Sequence, residues 1–124
     1  MSDRQLRIVA IIDDDSMVRA GFQDCMESAG YSVEAFGSAE EFLESPRGRD
    51  PSCLIVDIQL PGLSGLELQG KLAEMESPTP IVFVTAHGTD ANRQQALRGG
   101  AAALLSKPVR REELLATVRA AFQT

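Results

Sequence analysis

The chain has 124 residues, 44% hydrophobic and 24% charged, which suits one domain (1–124) with a core that needs no disulfide staples. A net charge of −6 argues against direct nucleic-acid binding and against attraction to anionic membranes. No apolar run approaches the roughly 18 residues of a membrane span, and the polar start from Met1 to Arg7 does not read as a signal peptide, so the expected location is cytoplasmic.

Residues Arg7 to Ile12, apolar without a break from Ile8 through Val9, Ala10 and Ile11 to Ile12, have the pattern of a strand buried on both faces, and it ends in Asp13, Asp14 and Asp15. Val18, Phe22, Cys25, Met26 and Ala29 then recur at helical spacing, and Gly30 is placed to cap the helix. Tyr31 to Phe36 reads as a second strand and Gly37 as a turn. Ser38-Ala39-Glu40-Glu41 has the form of a capping box opening a short helix through Leu43. Ser45 to Ser52, with Pro46, Gly48 and Pro51, is expected to be a loop.

Leu54-Ile55-Val56 is a third buried strand. It runs straight into Asp57, and Pro61-Gly62 forbids its continuation. Ser64-Gly65-Leu66-Glu67 is a second capping box, starting a helix predicted to turn Leu68, Leu72 and Met75 inward. Pro78 and Pro80 close that connection, and Ile81 to Val84 is a fourth strand ending at Thr85. Thr89 to Arg98 reads as a helix whose apolar side is only Ala91, Ala96 and Leu97, the least securely anchored helix of the chain. Gly99-Gly100 ends it. Ala102 to Leu105 is a fifth strand leading to Ser106-Lys107-Pro108, and Arg111 to Gln123 is a last helix with Leu114, Leu115, Val118 and Phe122 on one face. Whether Ala101 to Ala103 and the surface around them form a partner patch is open. Cys25 and Cys53 have no metal-like spacing and read as small buried hydrophobes in a reducing compartment.

Five strands alternating with five helices imply right-handed crossovers, a parallel sheet and helices on both faces: a doubly wound α/β domain of (βα)5 type. In such a sheet ligands bind at the carboxyl ends of the strands. There the chain places Asp13 and Asp14, Asp57, Thr85 and Lys107. Three converging carboxylates repel unless a cation joins them or one takes a proton. Hard oxygen donors suit Mg²⁺, which keeps waters and engages phosphates. Lys107 and Thr85 add a positive charge and a hydroxyl donor for phosphoryl oxygens, with Asp57 as the attacking group. The set is suited to carrying an aspartyl phosphate. Singly, these residues have plainer readings: Asp13 and Asp14 as acids feeding a helix N-terminus, Lys107 as a surface lysine. Asp15 is taken as that plain case, and the single histidine, His87, as a loop bystander or gatekeeper rather than a phosphohistidine or general base.

Over essentially its whole length the chain resembles the receiver domains of two-component response regulators. The residues that carry this are Ile12-Asp13-Asp14-Asp15 with Val18-Arg19, Asp57 with Leu60-Pro61-Gly62 and Ser64-Gly65-Leu66-Glu67-Leu68, Val84-Thr85-Ala86-His87-Gly88, and Lys107-Pro108. The third and fourth of these blocks look most like receivers of FixJ-like transcriptional regulators. The resemblance implies strand order 2-1-3-4-5 and a Lys107-Pro108 bond that is often cis. It also implies that Asp57 accepts a phosphoryl group from a sensor histidine kinase or phosphotransfer protein. Asp14 would ligate Mg²⁺ directly, Asp13 mainly through water, and Gln59 through its backbone carbonyl. Thr85 and Lys107 would hold the phosphoryl oxygens, while Gln59 and His87 occupy positions that tune phosphoryl lifetime. The chain would catalyse its own phosphorylation and slow dephosphorylation without turning over a metabolite. One departure stands out: where the family usually carries Tyr or Phe three residues before its lysine, this chain has Leu104.

With no swinging ring at Leu104, the switch through Thr85 is expected to rely on the weakly anchored helix and the strand after it, and activation to lean on homodimerisation. The chain is expected to be either a stand-alone receiver or part of a longer regulator with a helix-turn-helix output downstream. The alternative function is a degenerate receiver that binds partners without phosphorylation. An Asp-nucleophile phosphatase of the haloacid-dehalogenase type would need an acid where Gln59 stands. A flavin-binding module would need a phosphate-cradling loop where the acids after the first strand stand.

Overall fold

A computed structural model describes residues 7–45 and 51–122. Most of the polar start, residues 46–50 of the expected loop and Gln123 of the expected last helix lie outside the described residues.

The elements alternate as expected: β1 (Ile8–Ile12), α1 (Ser16–Ser28), β2 (Ser32–Phe36), α2 (Ala39–Glu44), β3 (Cys53–Asp57), α3 (Gly65–Glu74), β4 (Ile81–Thr85), α4 (Asp90–Arg98), β5 (Ala103–Ser106) and α5 (Arg111–Phe122). The strands form one parallel sheet in the order β2-β1-β3-β4-β5. Because successive side chains of a strand point to opposite faces, each apolar run feeds two cores. Val9, Ile11, Ile55, Val82 and Val84 pack with Phe22, Met26, Leu114 and Val118 of α1 and α5. Ala10, Ile12, Leu54, Val56 and Phe83 pack with Phe42, Leu68, Leu72 and Ala96 of α2, α3 and α4. This is why the central strands are apolar at every position rather than at alternate ones.

The helix ends follow local chemistry. Asp15 caps α1, its carboxylate accepting from the Met17 and Val18 amides. Gly30, at φ 96°, closes that helix, its N–H and that of Tyr31 donating to the carbonyls of Glu27 and Met26. Ser64 and Glu67 form the expected reciprocal capping box. Ser38 caps α2, but Glu41 does not return to Ser38. Its carboxylate accepts from the Gly37 amide instead, so the expected box is only half formed.

Two further expectations are corrected. Met75 is 59% exposed, because α3 stops at Glu74 and Met75 is its C-cap, past the inward stripe. In α4 only Ala96 is buried; Ala91 is exposed and Leu97 is 53% exposed, so the helix is even more lightly held than its sequence indicates. β5 lies one residue later than expected, with its first three residues half-buried and Ser106 exposed.

Candidate functional site: an acidic cluster at the carboxyl edge

Parallel register brings the strand ends to one edge. Ile12 pairs with Val56, Asp57 with Val84, and Thr85 with Ser106. Asp13 is the residue after β1, Asp57 the last of β3, Thr85 the last of β4, and Lys107 the first after β5. Asp57 and Thr85 end fully buried strands and Asp13 follows a nearly buried one, so burial fixes the backbone that aims them, while Lys107 follows the half-buried β5.

Asp13 and Asp57 are almost wholly buried, at 1% and 6% exposure. Asp13 Oδ1 accepts from the Asp15 amide at 2.9 Å, and Asp57 Oδ1 accepts from the Gln59 amide at 2.9 Å. The Lys107 Nζ donates to Asp13 Oδ2 and Asp57 Oδ2, both at 2.9 Å, and so bridges the two acids. Lys107 follows β5 directly, its N–H bonds the Thr85 carbonyl at 2.8 Å, and its bond to Pro108 is cis. Gly65 allows α3 to begin against the end of β3: a Cβ there would collide with the Asp57 carbonyl.

The third acid, Asp14, is exposed and completes the group. One carboxylate oxygen from each of Asp13, Asp14 and Asp57 lies within 4.8 Å of the others. With all ionised, three carboxylates face one ammonium, leaving two negative charges in excess. Burial pushes the Asp13 carboxyl above its ordinary 3.8, only partly offset by the Asp15 amide and by Lys107. For Lys107 burial works against the charge, but its bonds to Asp57 and Asp13 outweigh it and raise its pKa above 10.5. Lys107 therefore stays cationic at neutral pH. The donor set is all oxygen, concave and in excess of negative charge, which fits a hard divalent cation.

Thr85 is fully buried at the same edge. Its Oγ1 accepts from the His87 amide at 3.2 Å, which leaves its own hydroxyl hydrogen to donate elsewhere. Gln59 and His87 are exposed; their amides, not their side chains, engage Asp57 and Thr85. Leu104 is half-buried beside Phe83 in β4, on the face that carries Ala96 of α4.

Two residues of the surroundings gave no functional reading in the sequence. Arg19 reaches back from α1 to the Asp13 carbonyl at 2.7 Å, steadying the β1–α1 turn. Gln69 is 7% exposed and donates Nε2–H to the Ala96 carbonyl at 2.9 Å, tying α3 to α4. A signal for Gln69 existed. Gly65, Leu68, Gln69 and Leu72 are spaced i, i+3, i+4, i+7 and all are buried, so Gln69 is the polar member of an inward stripe.

Residues 9–119 match the family model of the response regulator receiver domain. Nodulation protein W of Bradyrhizobium diazoefficiens is 45% identical over 116 residues, covering 94% of this chain and 51% of that protein. Response regulator protein TodT of Pseudomonas putida is 39% identical over 123 residues, covering 99% of this chain and 54% of that protein. The chain thus spans about half the length of the curated relatives it matches. Among solved structures, response regulator StyR superposes with a TM-score of 0.87 at 39% identity, over 94% of this chain and 59% of that one. A structure of FixJ-N gives 0.87 at 27% identity, over 99% and 96%. The acids at the strand ends, the sheet order and these likenesses place the chain in the response regulator receiver domain family, the phosphoacceptor switches of two-component signalling.

Proposed function

We propose that Asp57 is the phosphoacceptor and that Asp13, Asp14 and Asp57 hold the Mg²⁺ that phosphoryl transfer needs. The observation that carries this is the pairing of Asp57 with Lys107 inside a three-acid group at the end of a fully buried strand. Each Asp57 oxygen accepts one hydrogen bond, so each keeps a lone pair for a metal or for phosphorus. In the transfer, an Asp57 oxygen attacks the phosphorus of a phosphohistidine, the P–N bond breaks, and the imidazole leaves with the bonding pair. The Mg²⁺ supplies charge neutralisation for the phosphoryl oxygens and the acids. Lys107 gives a second positive charge, and the Thr85 hydroxyl donates to a phosphoryl oxygen. One oxygen from each of the three acids lies within 4.8 Å of the others, close enough for one hard cation to be shared among them. By resemblance to the family, Asp14 and the Gln59 carbonyl would be direct ligands and Asp13 would act mainly through a water.

The donor is a sensor histidine kinase or phosphotransfer protein. Transcriptional control is the output suggested by relatives such as the transcriptional regulatory protein FixJ of Bradyrhizobium diazoefficiens. With Leu104 in place of a ring, phosphorylation acts on α4 and β5, and self-association at micromolar concentration accompanies it.

Titration with beryllofluoride and Mg²⁺, followed by amide NMR, tests the acceptor. Beryllofluoride stands in for the phosphoryl group on a carboxylate. Metal-dependent shifts at Asp14, Thr85 and Lys107 are expected in the wild type and absent in Asp57→Asn. No binding at millimolar Mg²⁺ would leave a receiver that works only by binding partners.

A further inference from the structure

α4 is held at two points. Its first turn follows the loop from Thr85, where the Cα of Gly88 lies so close that an added Cβ would stand 3.2 Å from the Thr85 methyl and 3.9 Å from Leu104 Cδ2. Its last turn is held by Gln69. Between them only Ala96 is buried. The Gln69 amide donates to the Ala96 carbonyl, and that same carbonyl accepts from the Ala101 amide at 3.0 Å in the turn that closes the helix. The carbonyl therefore keeps a partner if Gln69 lets go. Gln69 Nε2 makes no second hydrogen bond to the described residues, so it has no such protein reserve.

The glycine opposite Gln69 is there for room, not for backbone freedom. Gly99 has φ −77° and ψ 0°, a conformation open to any residue. An added Cβ would nevertheless lie 2.5 Å from Gln69 Cδ and Oε1 and 2.7 Å from Nε2. The amide occupies the place a Cβ would take, and an alanine there would push it aside. Beside this pair is a cavity of about 780 Å³, lined among others by Gln69, Gly99, Gly100, Ala103 and Thr117. The helix end thus has space to move into once the bond is broken, unlike the close-packed strands.

We propose that Gln69 and Gly99 form a latch that holds the C-terminal end of α4 in its resting position and opposes the phosphorylated state of Asp57. This rests on the acceptor reading above and adds what regulates it. A contact made only in the resting arrangement lowers the population of the competent one, and with it the apparent affinity of the site for a phosphoryl group. Gln69 is a positioning residue, acting through α4 on the Thr85 loop. Weakening it should tighten ligand binding at Asp57, whereas a residue that merely supports the fold would weaken binding or leave it unchanged.

The test is beryllofluoride titration with Mg²⁺ on the wild type, Gln69→Leu, Gly99→Ala and the double variant, with amide hydrogen exchange on the ligand-free proteins. Each single variant should bind about tenfold more tightly, which corresponds to about 1.4 kcal/mol. The double variant should gain nothing further, because both changes break one bond. Exchange should quicken about tenfold in α4 and remain unaltered in β3 and β4. Equal or weaker binding by both single variants overturns the latch while leaving the acceptor reading intact. If the wild type itself fails to bind, the acceptor reading falls, and exchange then decides the latch: quickening confined to α4 upholds it, while uniform or absent quickening removes it.

Discussion

β3 and β4 on one side and α4 and β5 on the other differ in how they are held. Every residue of β3 and β4 is buried, and Phe83 is a fully buried member of one core. α4 buries one alanine, and β5 only half-buries its first three residues. The two helices that Gln69 joins differ in the same sense. The α3 N-terminus has a reciprocal box of Ser64 and Glu67, whereas α4 has only Thr89, whose Oγ1 accepts from the Asn92 amide. Yet both regions meet at the acids: Asp57 and Thr85 end the rigid strands, and Lys107 directly follows the light one. A receiver needs both. The acceptor must stay aimed while something beside it moves, and the elements that move come from the low-stability end of the molecule.

The largest test of that contrast compares Phe83→Ala with Leu104→Ala, neighbours across β4 and β5. Emptying the Phe83 site should cost about 3–5 kcal/mol. The half-buried Leu104 should cost about 1 kcal/mol. Denaturant unfolding measures both, and equal losses would erase the distinction between the two regions.

A smaller effect separates stability from function within the rigid half. Ionised Asp13 is buried at a cost, as its raised pKa indicates. With its folded pKa above 3.8, the folded state binds more protons, and stability from this group falls as pH rises through the interval between the two values. Asp13→Asn keeps an oxygen for the Asp15 amide and removes the charge. It should stabilise the metal-free protein by about 1 kcal/mol and weaken Mg²⁺ binding at least tenfold. Lower stability with unchanged metal affinity would show that the acid is there for the fold.

The smallest effect distinguishes the two helix starts. The Ser64 amide and hydroxyl, with a small contribution from Lys71, hold the Glu67 carboxyl below its ordinary 4.5. The stabilisation is therefore complete above pH 4.5 and is lost as pH falls through the lowered value. In an NMR acid titration the first-turn amides of α3 should follow Glu67, while the Asn92 amide, capped by a neutral hydroxyl, should not. Parallel titration at both helices would mean that the caps are equivalent.

Much of this molecule is legible without coordinates. Asp13, Asp57, Thr85 and Lys107 announce themselves because each stands where a short apolar run stops, and in a parallel sheet all such stops fall on one edge. Asp15 as a cap, the Ser64–Glu67 box and the thin apolar side of α4 are likewise written in residues a few positions apart. The misread details turn on where a helix ends or where a side chain reaches. The spacing of Met75 points it inward, but the helix ends one residue before it, with Glu76 at φ 56° taking the left-handed turn. Glu41 matched the box pattern and bonds Gly37 instead. Local pattern determined the elements and the chemistry at the strand ends, because burial and capping act over one or two turns. Only the tertiary structure decided that Lys107 bridges Asp13 and Asp57, that Arg19 returns to the Asp13 carbonyl, and that Gln69 fits against Gly99. Those contacts join segments whose spacing along the chain carries no period, and they exist only once the sheet has set its helices side by side.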